Sequence, residues 1–168
     1  KKYNLKIISD SAQSPGAKYG KSYAGTLTDI GGISLNYHKH INTGEGGVIF
    51  TNSKHYADRM YLIRNHAESV VANKKVGSLQ NLIGYNFRMG EIEAAIGITQ
   101  LKKLKKIIKK KQLIANILYQ GLRKLEGIKL QKVQKNCSHV YYVFPMQIDS
   151  KKLGINRDKI YQALLAEG

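Results

Sequence analysis

The chain has 168 residues, of which 42% are hydrophobic and 23% charged, which is typical of a globular rather than a disordered polypeptide. A single cysteine, Cys137, excludes a disulfide framework and a multi-cysteine zinc site, and favours a reducing, cytoplasmic compartment. The formal net charge of +17 raises the question of a nucleic-acid partner.

Strands and helices are predicted to alternate along the chain. We expect strands at 5–10, 30–35 and 46–52, a helix from Asn52 or Ser53 to about Asn65, irregular polar chain over 67–88, and a long helix over 90–125. A strand over 140–146 and a last helix, opened by Asn156 or Asp158 and running through Leu165, complete the pattern. This order predicts an α/β arrangement, followed by a smaller α+β part after about residue 126.

The positive charge is densest between Leu101 and Lys111, where seven lysines occur without an acidic residue. A nucleic-acid or anionic-membrane surface would fit such a cluster, and so would the solvated face of a long helix. Of the 28 basic residues only five are arginines, although base readout and bidentate phosphate contacts favour arginine. The tyrosines are also not interleaved with the lysines as a base-stacking surface requires. We therefore expect a solvated face, with neither nucleic acid nor membrane as partner.

Two short motifs do not support the site that they suggest. Gly20, Lys21 and Ser22 look like the end of a phosphate-binding loop, but Pro15 occupies the position where that loop needs a glycine. His38 and His40 lack a third metal ligand nearby. No metal is expected.

The polar residues at the ends of the first two long strands are better candidates. Asp10 and Gln13 follow the first strand, and Ser34 and Lys39 lie around the end of the second. Ligands bind at the carboxyl ends of strands in α/β sheets, where a carboxylate could hold a cationic ring nitrogen and a lysine could form a Schiff base. Each residue also has an ordinary structural interpretation, so spacing alone leaves the choice open.

Five sequence blocks in the same order carry a resemblance to one family. They are Asp10-Ser11-Ala12-Gln13, Asp29-Ile30-Gly31-Gly32-Ile33-Ser34-Leu35-Asn36-Tyr37-His38-Lys39, Asn42-Thr43-Gly44-Glu45-Gly46-Gly47, Arg64-Asn65-His66 and Gly84-Tyr85-Asn86-Phe87-Arg88-Met89. The sequence resembles the DegT/DnrJ/EryC1/StrS family of pyridoxal-phosphate-dependent sugar aminotransferases. The likeness covers essentially the whole chain and weakens after about residue 126.

The resemblance implies a role for each matching residue. Lys39 matches the lysine that binds the cofactor covalently and then moves a proton between substrate and cofactor. Asp10 matches the carboxylate that pairs with the ring nitrogen, Gln13 a side chain near the ring hydroxyl, and Ser34 a phosphate-binding hydroxyl. Asn86 matches an asparagine that reaches the cofactor phosphate of the partner subunit in a homodimer.

Two further matches concern the substrate. Arg88 lies near Asn86 in the same block, and His139 resembles a family histidine close to the sugar. The substrates implied are a nucleotide-linked keto-deoxysugar and an amino donor, glutamate, in a pathway of surface-polysaccharide synthesis.

The implied fold is part of a type I aminotransferase: a mainly parallel sheet with helices on both faces, plus part of a small C-terminal α+β domain. We expect residues 1–90 to form the C-terminal half of the cofactor-binding domain, 91–126 a connecting helix and 127–168 the start of the small domain. The family's amino-terminal cofactor loop has no match before Asp10, so the chain resembles an internal fragment that is inactive alone.

Two alternatives remain within the family. Some members carry histidine at the position of Lys39 and dehydrate sugars with the same cofactor, and others are regulatory and non-catalytic. Counting five residues on from Ser34 and five back from Gly44 both give Lys39, which favours transamination.

Overall fold

The computed structural model describes residues 2–68 and 82–168. Its strands are β1 (Ile8–Asp10), β2 (Lys18–Tyr19), β3 (Ser22–Tyr23), β4 (Ile30–Ser34), β5 (Gly47–Phe50), β6 (Ile128–Leu130), β7 (Cys137–Ser138) and β8 (Met146–Ile148). Its helices are α1 (Lys54–Arg64), α2 (Glu91–Leu122), α3 (Ser150–Leu153) and α4 (Arg157–Glu167). Within these described ranges no helix is both long and apolar enough to cross a membrane.

The first sheet has the strand order β1-β4-β5 and is mixed. Strand β1 is parallel to β4, with Asp10 opposite Gly32, and β5 is antiparallel to β4. Gly31 in β4 lies directly against the preceding loop, because a Cβ there would be 1.8 Å from the carbonyl oxygen of Gly25. Glycine at this position therefore lets the loop cross the sheet at close range.

A second sheet joins residues 18–23 to residues 137–138. Its order is β3-β2-β7, and β2 pairs antiparallel with both neighbours. The backbone N–H of Lys18 also donates to the hydroxyl of Ser138 at 2.9 Å. The loop predicted between the first two long strands thus contains a small hairpin, and strand β2 of that hairpin pairs with Cys137–Ser138.

The helices begin where capping residues occur. Ser53 accepts a hydrogen bond from the N–H of Tyr56 and opens α1, and Asn156 does the same for α4 with the N–H of Lys159. Helix α2 has 32 residues and carries acidic residues in its first turn, which suits the positive end of its dipole. Its apolar side chains are only partly covered: Ala115 is its buried residue.

One predicted strand is wrong. The alternation over 140–146 does not form a strand; β7 ends before it and only Met146 enters β8. Tyr141 has a φ of 49°, its N–H is bonded to His139 Nδ1, and its carbonyl accepts from Lys111. Backbone groups that would pair with a neighbouring strand are therefore hydrogen-bonded to side chains instead. The irregular chain predicted at 67–88 lies largely outside the described residues, which omit 69–81.

Candidate active site

The parallel pair β1 and β4 places two of the predicted site residues at one edge of the first sheet. Asp10 ends β1 and pairs with Gly32, and Ser34 lies two residues further along β4. The pairing continues past Asp10, since the N–H of Ser11 donates to the carbonyl of Gly32 at 2.9 Å. The carboxylate and the hydroxyl therefore occur at the carboxyl ends of neighbouring parallel strands, where ligands bind.

Local turns fix the groups that follow β1. The carboxylate of Asp10 is exposed, and its Oδ1 accepts the N–H of Ala12 at 3.0 Å. The N–H of Ser14 donates to the carbonyl of Ser11 at 3.0 Å and closes the turn that contains Gln13. Gln13 is also exposed, so both side chains are accessible to a ligand at this edge.

Lys39 lies on a compact loop that leaves the end of β4 and returns at the start of β5. Two backbone hydrogen bonds close the loop. The N–H of Leu35 donates to the carbonyl of Gly46 at 2.8 Å, and the N–H of Thr43 donates to the carbonyl of Leu35 at 2.9 Å. Leu35, His40, Ile41 and Thr43 are buried within it, whereas Lys39 is half-buried. The loop thus has its own small core and holds its lysine backbone in place beyond the sheet edge.

His40, the residue after the lysine, is 6% exposed and anchors the loop to a distant segment. Its Nε2 lies 2.8 Å from the carbonyl oxygen of Val140, so Nε2 carries the proton that is donated. Its Nδ1 is buried and has no hydrogen-bond partner among the described residues. Burial, together with the charges of Lys111, His139 and Lys39, lowers the pKa of His40 despite the bond to Val140. The imidazole is therefore neutral at neutral pH.

The segment reached by His40 also contacts the lysine itself. The Nζ of Lys39 lies 4.6 Å from the ring centroid of Tyr142, within the range of a cation–π contact. Helix α2 supports the same segment: Gln112 donates to the carbonyl of His139 at 2.9 Å, and Lys111 to that of Tyr141 at 3.5 Å. Burial also lowers the pKa of His139.

Asn86 and Arg88 lie in a second cluster, next to the end of α1. Asn86 is exposed and forms an antiparallel bridge with Asn65, and Arg88 Nη1 donates to Asn65 Oδ1 at 2.8 Å. The rings of Tyr85 and Phe87 stack at 4.9 Å on the same segment. Within the described ranges, no hydrogen bond joins this cluster to the sheet edge with Asp10, Ser34 and Lys39.

Sequence reasoning missed the parts of the site that depend on long-range contacts. In the sequence, His40 stands out only as one of two histidines without a third metal ligand, and Tyr142 falls within the strand predicted over 140–146. The burial of His40 had no local signal, because its partner Val140 lies 100 residues later. No group of three or more potential metal ligands occurs in the part of the chain that the structure describes.

The described residues combine a mixed α/β fold, an aspartate at the carboxyl end of a parallel strand, and a lysine on the loop that follows the neighbouring strand. The family model described as the DegT/DnrJ/EryC1/StrS aminotransferase family matches residues 1–168. The chain belongs to this family.

Two curated relatives have names that state an activity. The chain is 36% identical over 143 residues to a GDP-perosamine synthase of Escherichia coli O157:H7, covering 85% of this chain and 38% of the relative. It is 30% identical over 173 aligned positions to a UDP-4-amino-4,6-dideoxy-N-acetyl-beta-L-altrosamine transaminase of Campylobacter jejuni, covering 100% of this chain and 44% of the relative. The chain therefore spans less than half the length of these relatives.

A solved structure gives the same fold. The E. coli GDP-4-keto-6-deoxy-D-mannose-3-dehydratase with bound hydrated PLP superposes with a TM-score of 0.85 at 26% identity, covering 98% of this chain and 45% of that one. The similarity to both transaminases and a dehydratase means that overall fold does not separate the two activities.

Proposed function

We propose that the protein containing this chain is a pyridoxal-phosphate-dependent aminotransferase acting on a nucleotide-linked keto-deoxysugar. The observation that carries the proposal is Lys39 on a closed loop beyond the edge that holds Asp10 and Ser34. The names of the two curated relatives, a perosamine synthase and an amino-sugar transaminase, support the substrate class. Glutamate as donor and a place in surface-polysaccharide synthesis follow from the family resemblance.

The donor set at the sheet edge fits this cofactor chemically. Asp10 offers a carboxylate for the ring nitrogen, Ser34 a hydroxyl for the phosphate, Gln13 an amide for the ring hydroxyl, and Lys39 a primary amine for the aldehyde. The Asp10 Oδ2 atom has no hydrogen-bond partner among the described residues, so it can accept the ring N–H. When bound, the cofactor supplies a ring that withdraws electrons from the substrate carbon.

The side chains of this chain then have separable tasks. Asp10 stabilises a protonated ring nitrogen because a carboxylate favours the cationic form of its neighbour. With the cofactor held, Lys39 Nζ would serve as the group that takes a proton from the substrate and returns it. His40 is neutral and buried, so it holds the loop without adding a second positive charge beside Lys39.

The finer organisation belongs to the same proposal. We assign residues 1–90 to the C-terminal half of a type I cofactor-binding domain, 91–126 to a connecting helix and 127–168 to the start of a small α+β domain. Asn86 is exposed and outside the Asp10 edge, which suits a homodimer in which it reaches the partner's cofactor phosphate. Arg88 and His139 are the proposed substrate contacts, and the proposed location is the cytoplasm.

Dehydration is the second candidate, favoured by the structural similarity to the sugar dehydratase. The resemblance places histidine at the lysine position in the family's dehydratases, whereas this chain has Lys39. A keto-sugar supplied with glutamate separates the two. Amino-sugar product with consumption of glutamate supports transfer, and deoxy-sugar product without it supports dehydration.

The first test is the Lys39→Ala variant of the natural protein that contains this chain, with Lys21→Ala as control because Lys21 is exposed in the β2–β3 turn. Lys39→Ala should lose the visible absorbance of covalently held cofactor, and turnover should fall by about 10²–10⁴-fold, the range for a lost proton-transfer group. Lys21→Ala should keep both. Borohydride reduction followed by peptide mapping detects a covalently bound cofactor. If it finds the cofactor on a lysine of the Lys39→Ala variant, that other lysine has this role.

A further inference from the structure

Lys39 and Tyr142 form a contact between the lysine loop that follows β4 and the segment around Val140. The lysine Nζ lies 4.6 Å from the ring centroid, and both side chains are half-buried. A similar distance, 4.5 Å, separates Lys18 from the ring of Tyr23, but Tyr23 is 51% exposed. Both lysines are half-buried, but the ring of Tyr142 is less exposed than that of Tyr23; because a cation–π contact is stronger away from water, the Lys39 contact is the stronger of the two.

The position of Tyr142 is fixed from two sides. His40 binds the carbonyl of Val140, so the residue next to Lys39 is tied to the residue two before Tyr142. Helix α2 holds the same segment through Gln112 and Lys111. These bonds therefore fix the backbone that carries Tyr142 next to the lysine loop.

We propose that Tyr142 is a positioning residue for Lys39, whose ring face receives the lysine ammonium whenever the amine is not bound to the cofactor. This inference rests on the proposed function of Lys39. The ring attracts the ammonium and covers one side of it, so the free amine stays over the ring instead of extending into solvent. The phenol hydroxyl has no part in this contact, so the ring alone is required.

The experiment measures the reactivity of each lysine in the cofactor-free protein. Trace labelling with acetic anhydride, followed by mass spectrometry of the peptides, gives a rate for each amine. Tyr142→Leu should raise the rate at Lys39 by about fivefold, the factor expected from a cation–π contact of ordinary strength. Tyr142→Phe keeps the ring and should label at the unmodified protein's rate.

Tyr23→Leu is the matched control, because it removes a ring from Lys18 at a similar distance. It should speed labelling at Lys18 and leave Lys39 unchanged. An unchanged Lys39 rate in Tyr142→Leu overturns the proposal. So does a Tyr142→Phe rate as high as that of Tyr142→Leu, since the hydroxyl would then be the group that matters.

A second measurement needs no change at Tyr142. In the unmodified protein the ε-methylene protons of Lys39 should resonate upfield of those of other lysines, because they lie near the ring face; Lys39→Arg assigns the signal. An ordinary chemical shift overturns the contact even if Tyr142→Leu fails to fold. Neither readout involves cofactor, so loss of the Lys39–Tyr142 contact is distinguishable from failure of Lys39 to bind cofactor in the Lys39→Ala test.

Discussion

Replacing His40 by leucine tests the buried anchor of the lysine loop. Leucine fills much of the space of the ring but cannot donate to the carbonyl of Val140, which is 2% exposed. A buried carbonyl left without a partner costs about 1–3 kcal/mol. At pH 8 we therefore expect His40→Leu to lower the free energy of unfolding by about 2 kcal/mol, with exposed His38→Leu changing it by less than about 0.5 kcal/mol.

The same variant predicts a pH dependence with a definite sign. The pKa of His40 is lowered in the folded protein, so below about pH 6.5 the unfolded chain binds a proton that the folded chain resists. The unmodified protein thus loses stability as the pH falls through this range, and His40→Leu lacks that loss. The difference between the two proteins should shrink from pH 8 to pH 5. The lowered pKa of His139 acts in both proteins and largely cancels.

Urea unfolding at pH 8, 6.5 and 5 measures this difference. The comparison requires the same dependence of the unfolding free energy on urea concentration in both proteins. A difference that stays constant over the three values would show that His40 does not titrate as argued. A difference that grows towards pH 5 would mean that the protonated imidazole is stabilised in the fold, which contradicts its burial beside Lys39 and Lys111.

Two other substitutions test the fold around the site by urea unfolding and hydrogen exchange. Gly31→Ala should destabilise by about 3 kcal/mol or more, because its Cβ would lie 1.8 Å from a backbone oxygen of Gly25 and neither strand nor loop can yield easily. Its control, Gly121→Ala, faces open space within α2 and should stabilise by about 1 kcal/mol. Asn156→Ala removes the cap of α4 and should cost about 1 kcal/mol, with faster exchange at the Lys159 amide; unchanged exchange there would contradict the cap.

The elements that the sequence predicts well are those whose signals are local. Ser53 and Asn156 cap helices within three residues of the groups they bind, and β4 was expected over 30–35 and found over Ile30–Ser34. The hairpin of β2 and β3 was missed because its strands are two residues long and because β2 pairs on its other side with β7, more than a hundred residues away. Hydrophobic periodicity carries no information about such a partner.

The misread segment at 140–146 has a different cause. Alternating apolar residues suit a half-buried strand, and they equally suit an extended segment that is half-buried against a helix. What decides between them is where the backbone groups are bonded, and here Gln112, Lys111 and His40 supply the partners. Those residues lie in α2 and in the lysine loop, so no reading of 140–146 alone could have found them.

Three consecutive residues around the proposed cofactor lysine illustrate the limit of reasoning from spacing. His38 is exposed, Lys39 half-buried and His40 buried, although all three belong to one short turn. Counting from Ser34 identifies Lys39 as the position of the family's lysine. It does not distinguish the surroundings of His38 from those of His40. In this turn, His40 points inward and contacts the carbonyl of Val140. Tyr142, two residues after Val140, contacts Lys39. The surroundings of Lys39 are therefore set by a segment that begins a hundred residues later in the sequence. A substitution in that segment should change the environment of the Lys39 amine, as a substitution next to Lys39 would.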